Sequence, residues 1–583
     1  MQNVIQNDTA SGAKWVYRAK NEQLYWQLIN DYGQSDFVAS IAATRGWINE
    51  ENFAGFIDPK IKDSMPDPFL LKDMLEATQF VKQVLQAKQK IAVFADYDVD
   101  GGTSAAIIYR FFKMLGVEIQ IYVPDRIKEG YGPNSNALLN LRKSGIDLVI
   151  TVDCGTVAFE PLEKAAAAGL KVIVIDHHLG VKDKPSSIAV INPNRYDETS
   201  ELTYLCGAGV CFMFCVAMLK TLEKPELKAK LMSLLDLVAL GTVCDVVPLQ
   251  GLNRAFVKTG LKVANNKKNA GLVALCEVAG LHKTLDSGDF GFNIGPMINA
   301  GGRIGKSDMG ALTLASDDTE FAKKMATELR ELNLKRREME AIITEKAIAS
   351  VAANINENDA VIFAFDKKWH EGIIGIVASR IKDKFYKPTF IGSITEDGNI
   401  KASCRSIFGV NIGEVIVEAV HKELLIKGGG HGMAAGFSLD FAKKDLFLAF
   451  VNEKLQKKVN EAKQQRVVEV DYCLSLGGAT VDLCDKIEQL EPFGMGNPEP
   501  TFVIKDVIIT GSKIVKDAHV SVFLKCQNSG VSSNAIAFKC TDSLMGSILL
   551  NNKGKTLDLL CKIGSQMYLG QKKISIIIQD INI

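Results

Sequence analysis

The sequence contains no long apolar run and no excess of charge of either sign. Its hydrophobic stretches fall short of the ~20 residues that a membrane-spanning helix needs. The apolar segment 231–240, for example, is interrupted by Ser233 and Asp236. Lysine plus arginine and aspartate plus glutamate both number 68. This neutrality argues against a protein that coats nucleic acid with its whole surface, while a local basic groove stays compatible with it.

The sequence also lacks the marks of a secreted or zinc-binding protein. Residues 1–8 have neither the basic start nor the apolar core of a signal peptide. The 12 cysteines include no two close pairs at zinc-site spacing, and the nearest group, Cys206, Cys211 and Cys215, has apolar neighbours. We therefore expect a cytoplasmic protein with buried thiols and without a membrane segment.

The length of 583 residues and the hydrophobic content of 47% predict three or four domains with cores of their own. Alternating helix and strand patterns between about residues 71 and 249 are typical of an α/β parallel sheet. The predicted strands and helices are strands 91–96, 118–123, 147–153 and 171–176, and helices 103–115, 134–144 and 158–168.

We predict five segments along the chain. A charged helical run after Asp317 suits a bridge between two lobes, and short alternating strands near the C-terminus indicate a small antiparallel barrel. The segments are an N-terminal helical segment (1–65), an α/β domain (66–310), a connecting helix (311–356), a second α/β domain (357–456) and, after a polar joint (457–465), the barrel (466–583).

Three of the predicted strands end on acidic residues. These are Asp96, Asp153 and Asp176, and the last is followed by His177 and His178. Side chains just past the carboxyl ends of neighbouring parallel strands converge on one crevice. Carboxylates crowded there repel one another unless cations lie between them. Aspartate and histidine together form a ligand set for Mg²⁺ or Mn²⁺.

The segment 96–103, Asp-Tyr-Asp-Val-Asp-Gly-Gly-Thr, adds two more acids to this edge. Alternate carboxylates in an extended turn point to one side, and the glycines let the backbone approach a ligand closely. We expect Thr103 to cap the following helix. The alternative is a calcium loop, but no twelve-residue loop ending in glutamate follows.

The adjacent histidines and one further aspartate complete the candidate site. Adjacent residues diverge in direction, so we expect one histidine to bind metal while the other contacts substrate or orients water, with Asp176 fixing a tautomer. Asp245 lies in an apolar segment, where a lone buried aspartate is costly and a metal would remove the cost. The set suffices for two ions about 3.5–4 Å apart, the arrangement used in phosphoester hydrolysis. The sequence contains no phosphate-binding loop or nucleophile elbow.

The order of these motifs resembles the DHH phosphoesterase superfamily, and further segments resemble its RecJ family. The similarity covers roughly residues 50–583, and the last of these segments precedes the barrel-like region as in the RecJ OB domain. The segments are 123–132, 298–303, 369–372, 403–406, 428–436 and 491–498.

The resemblance implies a single-strand-specific DNA exonuclease of DNA repair and recombination. It implies 5′-to-3′ release of nucleoside 5′-monophosphates with Mn²⁺ or Mg²⁺, two ions being expected. The fold class it implies is α/β, with a DHH parallel-sheet domain and a DHHA1-type nucleic-acid-binding domain joined by a long helix, plus a C-terminal OB-like barrel. The implied partners are single-stranded DNA, a single-strand-binding protein and a RecQ-type helicase, and we expect a monomer.

The resemblance also assigns roles to residues at matching positions. The implied metal ligands are Asp96, Asp98, Asp100, Asp153, His177 and Asp245, and the implied catalytic residues are Asp98, Asp100 and His178. The implied DNA- or phosphate-binding residues are Arg126, Tyr131, Arg303, His370, Ser403, Arg405 and His431. Cys244 and Cys404 depart from the small residues expected there, which puts local packing in question but not the ligands.

Several alternatives remain open at this point. A DHH enzyme acting on pyrophosphate, oligoribonucleotides or cyclic dinucleotides would share the metal cluster, although it would need neither this length nor a barrel. A non-catalytic single-strand binder would not need the complete acid set. Arg303 and Arg405 suit either phosphate binding or surface ion pairs, and Trp369 suits either base stacking or a core position.

Overall fold

The computed structural model describes residues 4–6, 9–126, 128–354 and 359–582. Parts of the predicted segments, namely residues 1–3, 7–8, 127, 355–358 and 583, lie outside these ranges. The chain forms two compact units. The first comprises Met1–Gly302, Lys306–Leu329 and Val467–Ile583, and the second comprises Arg303–Gly305 and Arg330–Arg466.

The N-terminal part of the first unit contains strands as well as helices. Its elements are strands Val4–Gln6 and Lys14–Tyr17 and helices Glu22–Asn30, Asp36–Ala43, Glu50–Ile57 and Ile61–Ser64. Lys14–Tyr17 pairs in parallel with Val467–Val470, which follows the second unit in the chain. The predicted helical segment therefore omits two strands, because their pairing depends on a partner at the other end of the sequence.

A five-stranded parallel sheet forms the centre of the first unit. All residues of Ile91–Ala95 and Leu148–Val152 are buried, as expected for inner parallel strands covered on both faces. The register aligns Ala95 with Val152 and Val152 with Ile175, so the residues that follow these strands share one edge. The strand order is Gln120–Tyr122, Ile91–Ala95, Leu148–Val152, Lys171–Ile175 and Ala189–Ile191.

The helices around this sheet are mostly as predicted. The exception is the helix predicted to start at Thr103, which begins at Val99 with Asp98 as its cap. The flanking helices are Met74–Gln86, Val99–Met114, Ser135–Lys143 and Phe159–Ala167. They are followed by Gly207–Thr221, Lys228–Met232, Leu235–Cys244, Gly251–Asn265, Ala270–Ala279, Ser287–Asp289, the π-helix Phe290–Ile294, Gly295–Ile304 and Met309–Ala315.

The long helix Thr319–Asn354 carries the chain from the first unit into the second. It corresponds to the predicted connecting helix, and its sequence is rich in charged residues. Throughout the described ranges, the helices are too short or too polar to cross a bilayer.

The second unit is a mixed five-stranded sheet with helices. Its strand order is Lys427–His431, Ala434–Leu439, Ile400–Arg405, Thr389–Ile394 and Ile362–Asp366, and its helices after the long helix are Glu371–Phe385, Ile412–His421 and Lys444–Gln464. Most of the predicted joint at 457–465 is helical, because the last helix continues to Gln464. Leu455 and Val459, four residues apart, are buried and extend the apolar face of this helix.

The C-terminal part of the first unit is a closed barrel, as predicted. Phe502–Val515 pairs with both His519–Cys526 and Thr556–Tyr568, which closes the sheet. The barrel is not purely antiparallel, because Ser532–Ala537 runs parallel to Gln571–Asn582. Parallel pairing requires a crossover, and helix Leu544–Asn551 lies in this connection. The remaining elements are strand Tyr472–Leu474 and helix Val481–Gln489.

A buried arginine connects three parts of the first unit. The guanidinium of Arg254 donates to the carbonyl oxygens of Phe56 (2.7 Å), Leu490 (2.8 Å), Glu491 (2.9 Å) and Pro492 (3.1 Å). Burial lowers the pKa of Arg254 to about 9. The N-terminal segment, the α/β domain and the segment before the barrel therefore meet at one side chain.

Candidate metal centre

The sheet brings the predicted acids to one edge. Asp96, Asp153 and Asp176 are the first residues after three neighbouring strands, and all three are buried. Asp153 adopts a left-handed φ of 58°. A non-glycine residue in this conformation is strained, and such strain clusters at functional sites.

The turn after Asp96 adds two carboxylates with different supports. Asp98 caps helix Val99–Met114 by accepting the N–H of Gly101 at 3.0 Å. Asp100 accepts the N–H groups of Gly207 (2.6 Å) and Ala208 (2.9 Å) at the start of another helix. A Cβ on Gly207 would lie 2.9 Å from Oδ2 of Asp100. This close approach therefore requires glycine.

His177 points into the acid cluster. Its Nε2 lies 3.2 Å from Oδ1 of Asp153, 3.6 Å from Oδ2 of Asp245 and 3.8 Å from Oδ2 of Asp100. Asp245 ends helix Leu235–Cys244. The structure thus brings residues from four separate parts of the chain to one place.

Four buried atoms of the cluster have no hydrogen-bond partner within the described residues: Oδ1 of Asp96, Oδ1 of Asp153, Nε2 of His177 and Oδ2 of Asp245. Buried polar atoms without partners are costly. Divalent cations would satisfy these atoms, and oxygen and imidazole donors suit Mn²⁺ and Mg²⁺. The residues present therefore fit the expected ions.

The ligand atoms form three overlapping groups, each within 4.8 Å. They are Asp96, Asp98 and Asp153; Asp100, His177 and Asp245; and Asp153, His177 and His178. All six predicted metal ligands belong to at least one group. Two adjoining groups of this kind are what a pair of ions would need.

Burial perturbs the protonation of the cluster. Desolvation, together with the neighbouring carboxylates, raises the pKa of Asp96 to about 8 and that of Asp245 to about 9. The pKa values of Asp100 and Asp153 are also raised by burial, and the pKa of His177 is lowered for the same reason. Protons therefore compete with metal at these carboxylates.

His178 lies beside His177, with 4.5 Å between the ring centroids, but has different hydrogen-bond partners. Its Nδ1 lies 2.8 Å from Oδ1 of Asp176, and its Nε2 lies 3.3 Å from the hydroxyl of Tyr131. Burial lowers the pKa of His178, but the hydrogen bond and charge of Asp176 outweigh this and raise it to about 9. Asp176 therefore acts as the orienting partner expected of it.

The two predicted DNA-binding residues of the first unit lie beside this cluster. The Arg126 guanidinium is 5.0 Å from the ring centroid of Tyr97, which separates Asp96 from Asp98. The Tyr131 hydroxyl donates to the carbonyl oxygen of Asp153 at 3.4 Å.

Four of the other predicted binding residues gather at the start of helix Glu371–Phe385 in the second unit. His370 caps this helix, and its Nδ1 accepts the N–H of Gly372 at 3.0 Å. Arg303 donates to the carbonyl oxygen of Gly372 at 3.1 Å. A Cβ on Gly375 would lie 2.9 Å from Oγ of Ser403 and 3.1 Å from Nη2 of Arg405. Helix N-termini bind anions, and guanidinium groups strengthen such sites.

The fifth predicted residue, His431, lies in the same sheet as Arg405. The register pairs Arg405 with Ala434 and Ala434 with His431, which separates the outer two by two strand spacings, about 10 Å. Trp369, by contrast, is 5% exposed and packs in the core of the second unit. Of the two alternatives for Trp369, base stacking and a core position, the structure therefore favours the core position.

The structure also resolves the cysteine predictions. Cys206, Cys211 and Cys215 are buried free thiols, as expected. The departing Cys244 donates through Sγ to the carbonyl oxygen of Phe290 at 3.4 Å, and Cys404 is buried in a strand. Both departures are accommodated by local packing.

Some residues of the site were missed from the sequence. Asn192 and Asn194 donate to the carbonyl oxygens of His178 (2.8 Å) and His177 (2.6 Å). They follow strand Ala189–Ile191, whose three residues gave no detectable pattern. The run of an apolar segment into an asparagine was the available signal.

Three family models match the chain. The DHH family N-terminal domain matches residues 90–242, the DHHA1 domain matches 358–457 and the RecJ OB domain matches 470–580. The single-stranded-DNA-specific exonuclease RecJ of Bacillus subtilis is 31% identical over 98% of this chain and 71% of its own length. The chain belongs to the RecJ family. The RecJ of Escherichia coli is also 31% identical, over 88% of this chain and 90% of its own.

Solved structures agree with this membership of the RecJ family. RecJ from Thermus thermophilus in complex with Mn²⁺ matches with a TM-score of 0.78 and 26% identity, over 97% of this chain and 79% of that one. The same protein in complex with Mg²⁺ gives a TM-score of 0.73 at 25% identity. The resemblance and the predicted fold class are thereby confirmed, and the metals of these RecJ structures are those that the donor set here fits.

Proposed function

We propose that the chain is a metal-dependent exonuclease that removes nucleotides from the 5′ end of single-stranded DNA and releases nucleoside 5′-monophosphates. The observation that carries this proposal is the cluster of Asp96, Asp153, His177 and Asp245, whose buried ligand atoms lack hydrogen-bond partners in the described chain. Two relatives that match 98% and 88% of this chain are named single-stranded-DNA-specific exonucleases. A binder without catalysis would not need to bury these acids together.

The proposed metal ligands fall into two sets. Asp96, Asp98 and Asp153 would hold one Mn²⁺ or Mg²⁺ ion, and Asp100, His177 and Asp245 the other. Bound ions of this kind acidify a water and stabilise charge developing on phosphorus. Asp98 and Asp100 would contribute to catalysis by holding these ions.

His178 is proposed to contact the reacting phosphate. Its bond to Asp176 orients the ring, and its raised pKa favours the cationic form that an anionic phosphate would bind. Arg126 and Tyr131, beside the cluster, would contact the DNA strand near the reacting nucleotide.

The second unit is proposed to hold the 5′-terminal phosphate. Support comes from the helix N-terminus that Arg303, His370, Ser403 and Arg405 surround. His431 would contribute from its neighbouring strand. The charge of a phosphate is complementary to both the helix dipole and the arginines.

We assign a role to each of the predicted segments. Residues 66–310 form the catalytic domain and 357–456 the phosphate-binding domain, with 1–65 and 311–356 as supporting segments. The barrel at 466–583 would hold the strand by backbone contacts and base stacking, as OB folds do. We further propose a cytoplasmic monomer that acts in DNA repair and recombination with a single-strand-binding protein and a RecQ-type helicase.

Digestion of end-labelled oligonucleotides by Asp98 variants tests the function. The wild type should degrade a 5′-phosphorylated single strand from its 5′ end with Mn²⁺ or Mg²⁺ and not with excess chelator. Asp98→Ala and Asp98→Asn should each lose more than about a hundredfold in cleavage rate, because both remove a charged metal ligand. DNA binding should persist in both.

Asp98→Asn is the matched control for folding, because its amide oxygen still accepts the N–H of Gly101 and keeps the helix cap. Full activity in Asp98→Asn, degradation in excess chelator, or preferential cleavage of a dinucleotide over the long strand would each contradict the proposal.

A further inference from the structure

The turn Asn192-Pro193-Asn194 lies directly beside the two histidines. Strand Ala189–Ile191 pairs in parallel with Lys171–Ile175, with Ile191 opposite Ile175. Asn192 and Asp176 are therefore the first residues after neighbouring strands at the same edge. The N–H of Asp176 donates to the carbonyl oxygen of Ile191 at 3.0 Å, which fixes the two turns together.

Both asparagine amides are saturated as donors. Nδ2 of Asn192 donates to the carbonyl oxygen of His178 and to Oγ1 of Thr156, each at 2.8 Å. Nδ2 of Asn194 donates to the carbonyl oxygens of His177 (2.6 Å) and Thr203 (3.0 Å). An amide NH₂ has two hydrogens to donate, and here each finds an acceptor.

Asp176 holds the same two histidines from the opposite side. Its Oδ1 accepts the N–H groups of His177 (2.7 Å) and His178 (3.2 Å). Its Oδ2 accepts the N–H of Thr156 at 2.9 Å. Each histidine backbone is thus fixed at its N–H by the aspartate and at its C=O by an asparagine.

The two rings on this fixed backbone lie 4.5 Å apart between centroids and contact different partners. His177 reaches Asp153 and Asp245 in the acid cluster, and His178 reaches Asp176 and Tyr131. A rotation of either peptide would redirect the ring that it carries. The backbone of this turn therefore sets where each ring lies relative to the metal ligands.

We propose that Asn192 and Asn194 are positioning residues of the metal centre. Asn194 holds His177 in the direction of the ions, and Asn192 holds His178 in the direction of the reacting phosphate. This inference rests on the proposed function for the role of His178, whereas the role of Asn194 requires only that the cluster binds metal. Groups that orient metal ligands in this way typically change metal affinity 10–100-fold when mutated.

Asn194→Asp isolates the contribution of the amide. The carboxylate keeps the shape of the side chain but presents an acceptor to the carbonyl oxygen of His177, so the two oxygens repel. We expect the dissociation constant for Mn²⁺, measured by electron paramagnetic resonance on the full chain without DNA, to rise about 10–100-fold. The melting temperature in chelator should fall somewhat, because the variant also loses its hydrogen bond to Thr203.

Asn551→Asp is the matched control. Its Nδ2 also donates to a backbone carbonyl oxygen, that of Ser547 at 2.9 Å, but it lies on an exposed face of helix Leu544–Asn551 in the barrel. Mn²⁺ affinity should be unchanged in this variant. An unchanged Mn²⁺ dissociation constant in Asn194→Asp would overturn the proposal, whether or not the variant melts earlier.

Thr156→Val tests the positioning role of Asn192. Asn192 itself is too deeply buried for a direct charge substitution. Thr156→Val removes the hydroxyl that accepts from Asn192 and retains the branched shape. We expect a lower kcat for single-stranded DNA with KM and Mn²⁺ affinity nearly unchanged. A change in KM alone would contradict this role of Asn192.

The outcomes distinguish the two proposals. If the wild type binds Mn²⁺ but does not cleave DNA, the proposed function fails while the Mn²⁺ measurement on Asn194→Asp still decides the positioning role. If the wild type cleaves DNA and the Asn194→Asp variant binds Mn²⁺ as the wild type does, the positioning role fails alone. If Asn194→Asp binds Mn²⁺ more weakly than the wild type, as expected, millimolar Mn²⁺ should restore its cleavage of DNA.

Discussion

At the scale of single residues, the metal centre combines burial with concentrated negative charge. Asp96, Asp100 and Asp153 are nearly inaccessible to water, and their neighbours are other carboxylates. Asp100 accepts one backbone N–H group at each of its two oxygens. The folded protein therefore has a local electrostatic conflict that protons or cations relieve.

The stability of the metal-free protein should fall as pH rises through the neutral range. The pKa values of Asp96, about 8, and Asp245, about 9, lie above the value of about 4 in an unfolded chain. Between these values the folded state binds more protons than the unfolded state, so raising the pH favours unfolding. The stabilisation that comes from protonated Asp96 and Asp245 is fully present below about pH 4 and is lost as the pH approaches about 9.

Melting temperatures of chelator-treated protein between about pH 6 and about pH 9 measure this effect. Saturating Mn²⁺ should remove most of the decline, because metal replaces protons at the carboxylates. The double variant Asp96→Asn, Asp245→Asn is the control, and its melting temperature should depend less on pH. If the stability of the metal-free wild type increases across this range, burial does not raise the pKa values of Asp96 and Asp245.

At the scale of elements, the beginning of helix Glu371–Phe385 is the feature with most consequence. Ser403 and Arg405 reach it from strand Ile400–Arg405, on which they point to the same side as alternate residues. Gly375 leaves space for both, since a Cβ there would crowd Oγ of Ser403. A helix terminus, a hydroxyl and two guanidinium groups thus converge in the second unit.

Arg405→Ala should raise KM for a 5′-phosphorylated single strand about tenfold or more, because a hydrogen bond to a charged group contributes about 1.5–3 kcal/mol. KM for the same strand with a 5′ hydroxyl should change less. Steady-state digestion of the two substrates provides the comparison.

Arg380→Ala is the control for Arg405→Ala. Arg380 lies on the same helix but is exposed and paired with Glu340 at 2.9 Å. Its removal should leave the preference for a 5′ phosphate intact. Equal effects of the two variants, or of Arg405→Ala on both substrates, would mean that the helix terminus does not hold the terminal phosphate.

At the scale of the whole molecule, distant parts of the sequence depend on one another. Arg254 donates to the carbonyl oxygens of Phe56 and Leu490, which precede and follow the α/β domain in the sequence. Arg45 forms an ion pair with Asp471 at 3.0 Å. Both arginines are buried. The N-terminal segment and the barrel are therefore integral to the first unit and not appended to it.

Arg254→Ala should lower the stability of the first unit by about 3 kcal/mol or more, because it leaves several buried carbonyl oxygens without a donor. Urea unfolding followed by tryptophan fluorescence reports this, because Trp15, Trp26 and Trp47 lie in the first unit. Arg337→Ala, at an exposed position of the long helix, should stay within about 0.5 kcal/mol. Similar losses of stability in both variants would mean that the hydrogen bonds of Arg254 do not stabilise the first unit.

What the sequence could predict follows from the range of the interactions involved. The strands before Asp96, Asp153 and Asp176 were predictable because buried parallel strands are locally continuous apolar runs. Their convergence followed from sheet geometry. Strand Lys14–Tyr17 was not predictable, because its partner lies near the other end of the chain. The asparagines at 192 and 194 had only a weak signal, a short apolar run that ends in an asparagine.

The pairing of Lys14–Tyr17 with Val467–Val470 has a consequence for biosynthesis. A nascent chain emerges from its N-terminus, and domains usually fold as they leave the ribosome. Here an early strand has no neighbour on this side until the entire second unit has been translated. The sheet that joins the two ends of the polypeptide is therefore completed late, and a ribosome that stalls before residue 467 leaves this edge uncovered.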